Sequence, residues 1–201
     1  MPVRRHDLQM SASARTPRTR SAGPALDHWI ASPTLRVAYS RESSATPDAL
    51  WSAACSLGLG DAPLLGRVIR WRIPGLAAGI SFDELFREDP FLVLDDSQER
   101  ALLSGLVGKI WTLRRDYPRL SSTDEFREWS VNGTARVLFA NWVTPVAPGR
   151  AVLRSETRVQ VFGAQARIGL ATLRPVIRGF QQLIASDGIA QAVRRAERNV
   201  P

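Results

Sequence analysis

One stretch of the chain decides the fold: residues 151–162 read AVLRSETRVQVF. In an extended strand, successive side chains point to opposite faces. One face of this stretch therefore carries mostly apolar and hydroxyl side chains, those of Leu153, Ser155, Thr157, Val159 and Val161. The other face carries the polar side chains of Arg154, Glu156, Arg158 and Gln160. Such alternation is typical of an antiparallel sheet with one face on the core and the other in water.

The residues around this stretch predict further strands and short helices. Residues 134–144 form the second clear strand, joined to the first by a turn at Pro145, Pro148 and Gly149. Weaker strand patterns cover residues 35–41, 91–94 and 101–104. After the first strand, Thr46-Pro47-Asp48 starts one short helix and Asp61-Ala62-Pro63 starts another, since a hydroxyl cap or a proline favours a helix start. Residues 82–88 form a further helical turn.

The hydrophobic period changes from 2 to 3.6 after Gly163, which predicts a long amphipathic helix. Its apolar stripe contains Leu173, Val176, Ile177, Phe180, Leu183 and Ile184. A sheet with an apolar face needs a cover, and this helix is the only predicted element long enough to supply one. The sequence thus predicts an α+β fold in which a curved antiparallel sheet wraps around a long C-terminal helix, with two short helices after strand 1.

Length and charge predict one domain with a basic tail. The chain has 201 residues and a net charge of +8. Residues 1–24 are rich in Ser, Thr, Arg and Pro and are predicted to be a disordered tail, and residues 25–201 to be a single domain. Five arginines and one aspartate within residues 1–20 supply half of the excess charge. Lys109 is the one lysine among 27 basic residues, a skew typical of codon bias, so no specific nucleic-acid partner is expected.

Composition also argues against several other classes of protein. No apolar run reaches the roughly 18 residues of a membrane span, and the N-terminus lacks the apolar core of a secretory signal. A single cysteine, Cys55, fits a reducing cytoplasm. With only His6 and His28 besides this cysteine, neither a zinc site nor a Ser-His-Asp or Cys-His catalytic arrangement is expected. The predicted protein is cytoplasmic and uses no metal or cofactor; its oligomeric state stays open.

Four short motifs resemble those of one known superfamily. They are residues 47–51 (PDALW), 105–111 (GLVGKIW), 133–137 (GTARV) and 155–159 (SETRV). In this order and spacing the chain resembles the START-like helix-grip superfamily, also called SRPBCC. That superfamily includes pollen-allergen-like and polyketide cyclase/dehydrase-like proteins, and the chain is most similar to an uncharacterised bacterial branch. The resemblance implies a cavity between sheet and long helix that accepts apolar or aromatic molecules, without a shared catalytic residue.

The predicted cavity has an apolar lining with a few polar groups, as ligand pockets usually have. The apolar candidates are Val137, Phe139, Val159, Leu173, Ile177 and Phe180. Asn141, Ser155 and Thr157 are the polar candidates; the alternative is that they only satisfy one another. A shift of one residue in strand register would replace Phe139 and Asn141 by Leu138 and Trp142. The sequence leaves that register open.

Three functions follow as hypotheses. The first is binding or carriage of a small apolar molecule, lipid-like or polyketide-like, in this cavity. The second is a cyclase or dehydratase acting on such a molecule, with Glu156 and Tyr39 as the only candidate proton-transfer groups. The alternative for Glu156 is a surface ladder of ion pairs with Arg154 and Arg158. The third is docking of the basic tail on anionic lipid or nucleic acid.

Overall fold

The computed structural model describes residues 23–72, 75–77, 79–112, 117–183 and 188–198; for residues 65, 68, 71, 72 and 174–183 it describes the backbone alone. Helices and strands follow one another as α1 (Leu26–Trp29), β1 (Leu35–Ser43), α2 (Pro47–Cys55), α3 (Pro63–Arg72), α4 (Phe82–Leu85), β2 (Leu92–Asp95), β3 (Ala101–Gly108), α5 (Thr123–Glu128), β4 (Ala135–Ala147), β5 (Arg150–Val161), α6 (Ala164–Leu183) and α7 (Ala190–Arg198).

The strands form one antiparallel sheet in the order β1-β5-β4-β3-β2. The hairpin of β4 and β5 forms its centre, and β1, the first strand, pairs with β5, the last. The predicted α+β class, the antiparallel sheet and the C-terminal helix are confirmed. Helices α2, α3 and α4 occupy the connection between β1 and β2, where the sequence predicted two short helices and a helical turn.

Hydroxyl side chains define where three of the short helices begin. The Thr46 hydroxyl accepts a hydrogen bond from the amide of Ala49, and Pro47 occupies the first helical position of α2. Ser81 and Glu84 form a reciprocal capping box at the start of α4. Ser122 accepts from the amide of Glu125 in α5. Each cap satisfies amide groups that have no partner within the helix, so the sequence fixes these boundaries locally.

One face of the sheet, here called the helix face, carries two separate apolar clusters. The α6 cluster contains Leu106, Ala135, Val137, Val159, Val161, Ala166 and Leu170. The α7 cluster joins α2 and α7 to the other end of the sheet and contains Ala45, Leu50, Ala53, Leu57, Val143, Ala151, Leu153, Ile189, Ala192, Val193 and Ala196. On β4 the clusters are anchored by Val137 and Val143, which at the usual rise of a strand stand roughly 20 Å apart. The C-terminal helical region thus reaches the sheet at two distant places.

The opposite face of the sheet, here called the outer face, is covered by α1 and α5. Leu26, Ile30 and Phe126 pack with a third buried cluster of sheet residues, Leu94, Ala101, Leu103, Val107, Leu138 and Ala140. Phe126 is fully buried. Its ring lies directly over Gly105, where an added Cβ would stand 2.5 Å from the ring atom Cε2. The glycine of the 105–111 motif therefore makes room for α5.

One expectation from the sequence is wrong on this face, and one helix on it was missed. The polar side of β5 was predicted to face water, yet Glu156 is only 4% and Arg158 only 7% exposed. For Arg158 the reason is α1: Asp27 pairs with its guanidinium, and the carbonyl of Ile30, the residue after α1, accepts a hydrogen bond from it. Glu156 in turn is paired with Arg158 and Arg36. Helix α5 was not predicted. Alternation within a strand gives the character of each face but does not show which distant segment covers it.

Candidate functional site

The candidate site is the part of the helix face that lies between the α6 and α7 clusters. Two cross-strand rows occupy it, here called the middle rows, because directly paired residues in an antiparallel sheet point to the same face. One row contains Val37, Thr157, Phe139 and Ser104, and the other contains Tyr39, Ser155, Asn141 and Leu102. Val37, Tyr39, Phe139, Asn141, Ser155 and Thr157 are all half-buried, whereas the anchors of the flanking clusters are buried. Along β4 and β5 the helix face is therefore less completely packed at its centre than at either end, whereas Leu102 and Ser104 on β3 are buried.

The structure resolves the strand register that the sequence left open. Phe139 pairs with Thr157 and Asn141 with Ser155, which places these four side chains together on the helix face. Leu138 and Trp142 instead belong to the outer-face cluster. The three polar residues predicted from the sequence thus lie side by side in the middle rows.

The polar side chains of the middle rows have no hydrogen-bond partner among the residues that the structure describes. This holds for Tyr39, Asn141, Ser155 and Thr157, which are half-buried, and for the hydroxyl of Ser104, which is buried. For the buried Ser104 hydroxyl, losing water without gaining a partner costs roughly 1–3 kcal/mol; the four half-buried side chains keep part of their access to water. Asn141, Ser155 and Thr157 make no hydrogen bonds to one another, so the alternative that they only satisfy one another is not observed. Their hydrogen-bonding groups are available to another molecule.

Ser104 is a member of the site that sequence reasoning missed. The sequence placed it at the end of a returning strand, residues 101–104, with no indication of which way it faced. In the structure β3 continues to Gly108, and Ser104 pairs with Phe139 on one side and Val93 on the other. The only signal was a single hydroxyl within an otherwise apolar run, and such a hydroxyl is found as often in packed strands as in pockets.

An aromatic group borders the middle rows on the side of β2. The rings of Phe86, Phe91 and Phe139 lie 5.2 to 5.6 Å apart, centroid to centroid, in edge-on and tilted arrangements. Aromatic pairs at this spacing stabilise beyond the area they bury. Phe86 ends α4 and Phe91 precedes β2, so the connection between β1 and β2 supplies this wall. A molecule resting on Phe139 would therefore meet aromatic carbon on one side and Thr157 on the other.

The remaining predicted lining residues divide into three groups. Val137 and Val159 are buried within the α6 cluster, so they form the end of the site and not its open surface. Leu173 lies on α6 and is half-buried. The side chains of Ile177 and Phe180 lie outside the described part of the chain.

The two residues considered for proton transfer lie on different faces of the sheet. Both carboxylate oxygens of Glu156 accept hydrogen bonds from Arg36 at 2.8 Å, and the Nε of Arg158 donates to one of them at 2.7 Å. Burial alone would raise the pKa of the Glu156 carboxyl, but these hydrogen bonds outweigh burial and hold the pKa below its usual range. Glu156 is thus an ionised, buried partner in an ion-pair network on the outer face, whose other members Arg36 and Asp27 are exposed, and the sheet separates it from the middle rows. Tyr39 does lie in the middle rows.

Within the described residues, no helix combines the length and hydropathy that crossing a bilayer would need. No family model matches the chain, and no curated protein matches it. Among solved structures, a hypothetical protein, jhp0584, from Helicobacter pylori is 11% identical, with 89% of this chain and 98% of that chain covered and a TM-score of 0.43. A truncated norcoclaurine synthase from Thalictrum flavum is 13% identical over 82% of this chain and 91% of that chain, with a TM-score of 0.37. Superpositions of this quality leave the function of the chain open.

Proposed function

We propose that the protein binds a small, largely apolar molecule between the middle rows and the C-terminal helical region. One observation carries this proposal: between two well-packed apolar clusters, the middle rows hold the buried, unpartnered hydroxyl of Ser104 and four half-buried polar side chains with no partner among the described residues. A pocket for a small molecule combines an apolar lining with a few placed polar groups. The rings of Phe86, Phe91 and Phe139 supply the apolar lining. Asn141 and Ser155 supply part of the set of polar groups.

Catalysis is the second candidate, and its support in the structure is narrower. A cyclase or dehydratase needs a titratable group within reach of its substrate. Glu156 lies on the outer face, so Tyr39 is the remaining candidate among those named from the sequence. The Tyr39 side chain is directly opposite Ser155, where a bound molecule would touch it. Replacing Tyr39 by Phe would abolish turnover in an enzyme of this type but leave binding largely intact.

Binding can be tested by thermal shift on the full chain with fatty acids, sterols and polyketides. A compound that binds only the folded state raises the melting temperature in proportion to the logarithm of its concentration, and adds about 2.7 kcal/mol of stability at 100 times its Kd. We expect at least one apolar class to give such a concentration-dependent shift. If no class shifts the melting temperature, the proposed function is wrong.

A matched pair of serine variants locates the site. Ser155→Phe places a ring in the middle rows and should remove the ligand-induced shift. Ser40→Phe places the same ring on the exposed outer side of β1, next to Arg154, and should leave the shift unchanged. The melting curves of both variants without ligand show whether each still folds. A ligand that stabilises Ser155→Phe as much as the unaltered chain binds elsewhere, and the proposed site is then wrong.

A further inference from the structure

We infer that the polar end of the bound molecule is a neutral hydroxyl group, an alcohol or a phenol, held by Asn141, Ser155 and Tyr39. This inference rests on the proposed function and specifies the chemical class of its ligand. The three side chains come from three neighbouring strands: Ser155 on β5 is paired with Asn141 on β4 and with Tyr39 on β1. Paired residues on one face have Cβ atoms about 5 Å apart. One ligand atom above Ser155 is therefore within reach of all three.

The hydrogen-bonding capacity of these side chains matches a group that both donates and accepts. The Asn141 amide presents an acceptor oxygen and a donor nitrogen, and the hydroxyls of Ser155 and Tyr39 can each donate or accept. A hydroxyl group can accept from one of them and donate to another. An ether oxygen can only accept, so it cannot donate to the acceptor oxygen of Asn141. A carboxylate also only accepts.

Charge gives a second reason to prefer the hydroxyl. The three side chains are neutral or weakly acidic, half-buried, and next to the ring of Phe139. A carboxylate placed there would lose part of its hydration beside an apolar wall, which is unfavourable without a cation. Arg41, one alternation beyond Tyr39 on β1, is exposed. It offers a carboxylate an alternative anchor at the rim, and this competing arrangement can be tested.

The test compares ligands that differ only in their polar end. One set is dodecanol, its methyl ether and dodecanoate, and a rigid set is naphthol, methoxynaphthalene and naphthoate. Dissociation constants are measured by calorimetry on the full chain at neutral pH. Losing the donated hydrogen bond should weaken the ether about tenfold relative to the alcohol, and the carboxylate should be weaker still. Asn141→Leu should remove the preference for the alcohol over the ether, whereas Ser40→Ala on the outer face should leave it unchanged.

Each result has one meaning. Preference for the alcohols, lost in Asn141→Leu and in Ser155→Ala, supports the inference. Carboxylates that bind as well as the alcohols, and lose that affinity in Arg41→Gln, overturn it in favour of an anionic ligand at the rim. Equal binding of all three members of a set overturns the hydroxyl inference but leaves the proposed function standing. If neither these sets nor the sterols and polyketides bind, the proposed function itself is wrong.

Discussion

Replacing Gly105 by alanine tests how tightly α5 is packed on the outer face of the sheet. The added Cβ would stand 2.5 and 2.7 Å from two ring atoms of Phe126 and 3.0 Å from a methyl carbon of Leu94. Ordinary carbon contacts begin near 3.4 Å, so the ring must move by about 1 Å. It is fully buried, and the Trp29 ring and the Arg136 guanidinium occupy two of its sides. Overpacking of this kind costs about 1–3 kcal/mol.

Chemical denaturation of the full chain measures this cost, and each kcal/mol should lower the melting temperature by about 2–4 °C. Gly79→Ala is the matched control, since nothing lies within 4 Å of its added Cβ. It should change stability by no more than about 0.5 kcal/mol. Phe126→Leu removes the clashing ring atoms. The double variant Gly105→Ala/Phe126→Leu should therefore lose less free energy of unfolding than the sum of the losses in the two single variants. If Gly105→Ala is as stable as the control, or the two costs simply add, Phe126 does not pack as described.

Three further predictions concern charge, reactivity and a helix start. Hydrogen bonds from Arg36 and Arg158 lower the pKa of the Glu156 carboxyl in the folded state. Its contribution to stability is therefore fully present above the usual glutamate pKa of about 4.3, and it is lost as the pH falls through the lowered pKa of the folded state. Glu156→Gln should therefore weaken the acid dependence of the melting temperature, and an unchanged dependence would contradict this. Burial raises the pKa of the Cys55 thiol to about 12. Because the thiolate is the reactive form, alkylation of Cys55 at pH 8 should be about a thousandfold slower in the folded chain than in the unfolded chain. Equal rates in the two states would show that the thiol is exposed. Thr46→Ala should lower the free energy of unfolding by about 1 kcal/mol and Thr46→Ser by little, as measured by denaturation.

The sequence predicted the two central strands because both are long and because β5 alternates polar with apolar side chains. The sequence left the register of β4 open, and the structure places Val137 and Val143 on the helix face together with Leu153 and Val159 of β5. The predicted α2 is confirmed for a similar reason, since Thr46 and Pro47 define its start by local chemistry.

The cover of the outer face was not predictable in the same way. Helix α5 has six residues, TDEFRE, with one apolar side chain, so hydrophobic periodicity could not reveal it. The spacing of Ser122 and Glu125 was a usable signal for its start. Arg158 on this face pairs with Asp27, which is 131 positions away in the chain. No local pattern reports a contact of that kind.

The candidate site was predicted in part. Asn141, Ser155 and Thr157 do share a face, but their register needed the pairing of three strands, which one sequence does not give. Ser104 was missed because its facing depends on the length of β3. The sequence indicated a break in the C-terminal helix near Ser186-Asp187-Gly188, but it did not show that the two helical parts pack on separate clusters of the helix face.

The pairing of β1 with β5 has a consequence for synthesis on the ribosome. Translation proceeds at about 5–20 residues per second, so the 131 positions between Asp27 and Arg158 take roughly 7–26 s to be made. During that interval neither β5, the strand that pairs with β1, nor Arg158, the partner of Asp27, has been synthesised. The hairpin β4–β5 completes the sheet only near the end of elongation. Of the five strands described, β1 is therefore made first and finds its neighbour last, and a nascent chain stalled before residue 150 would present β1 to chaperones.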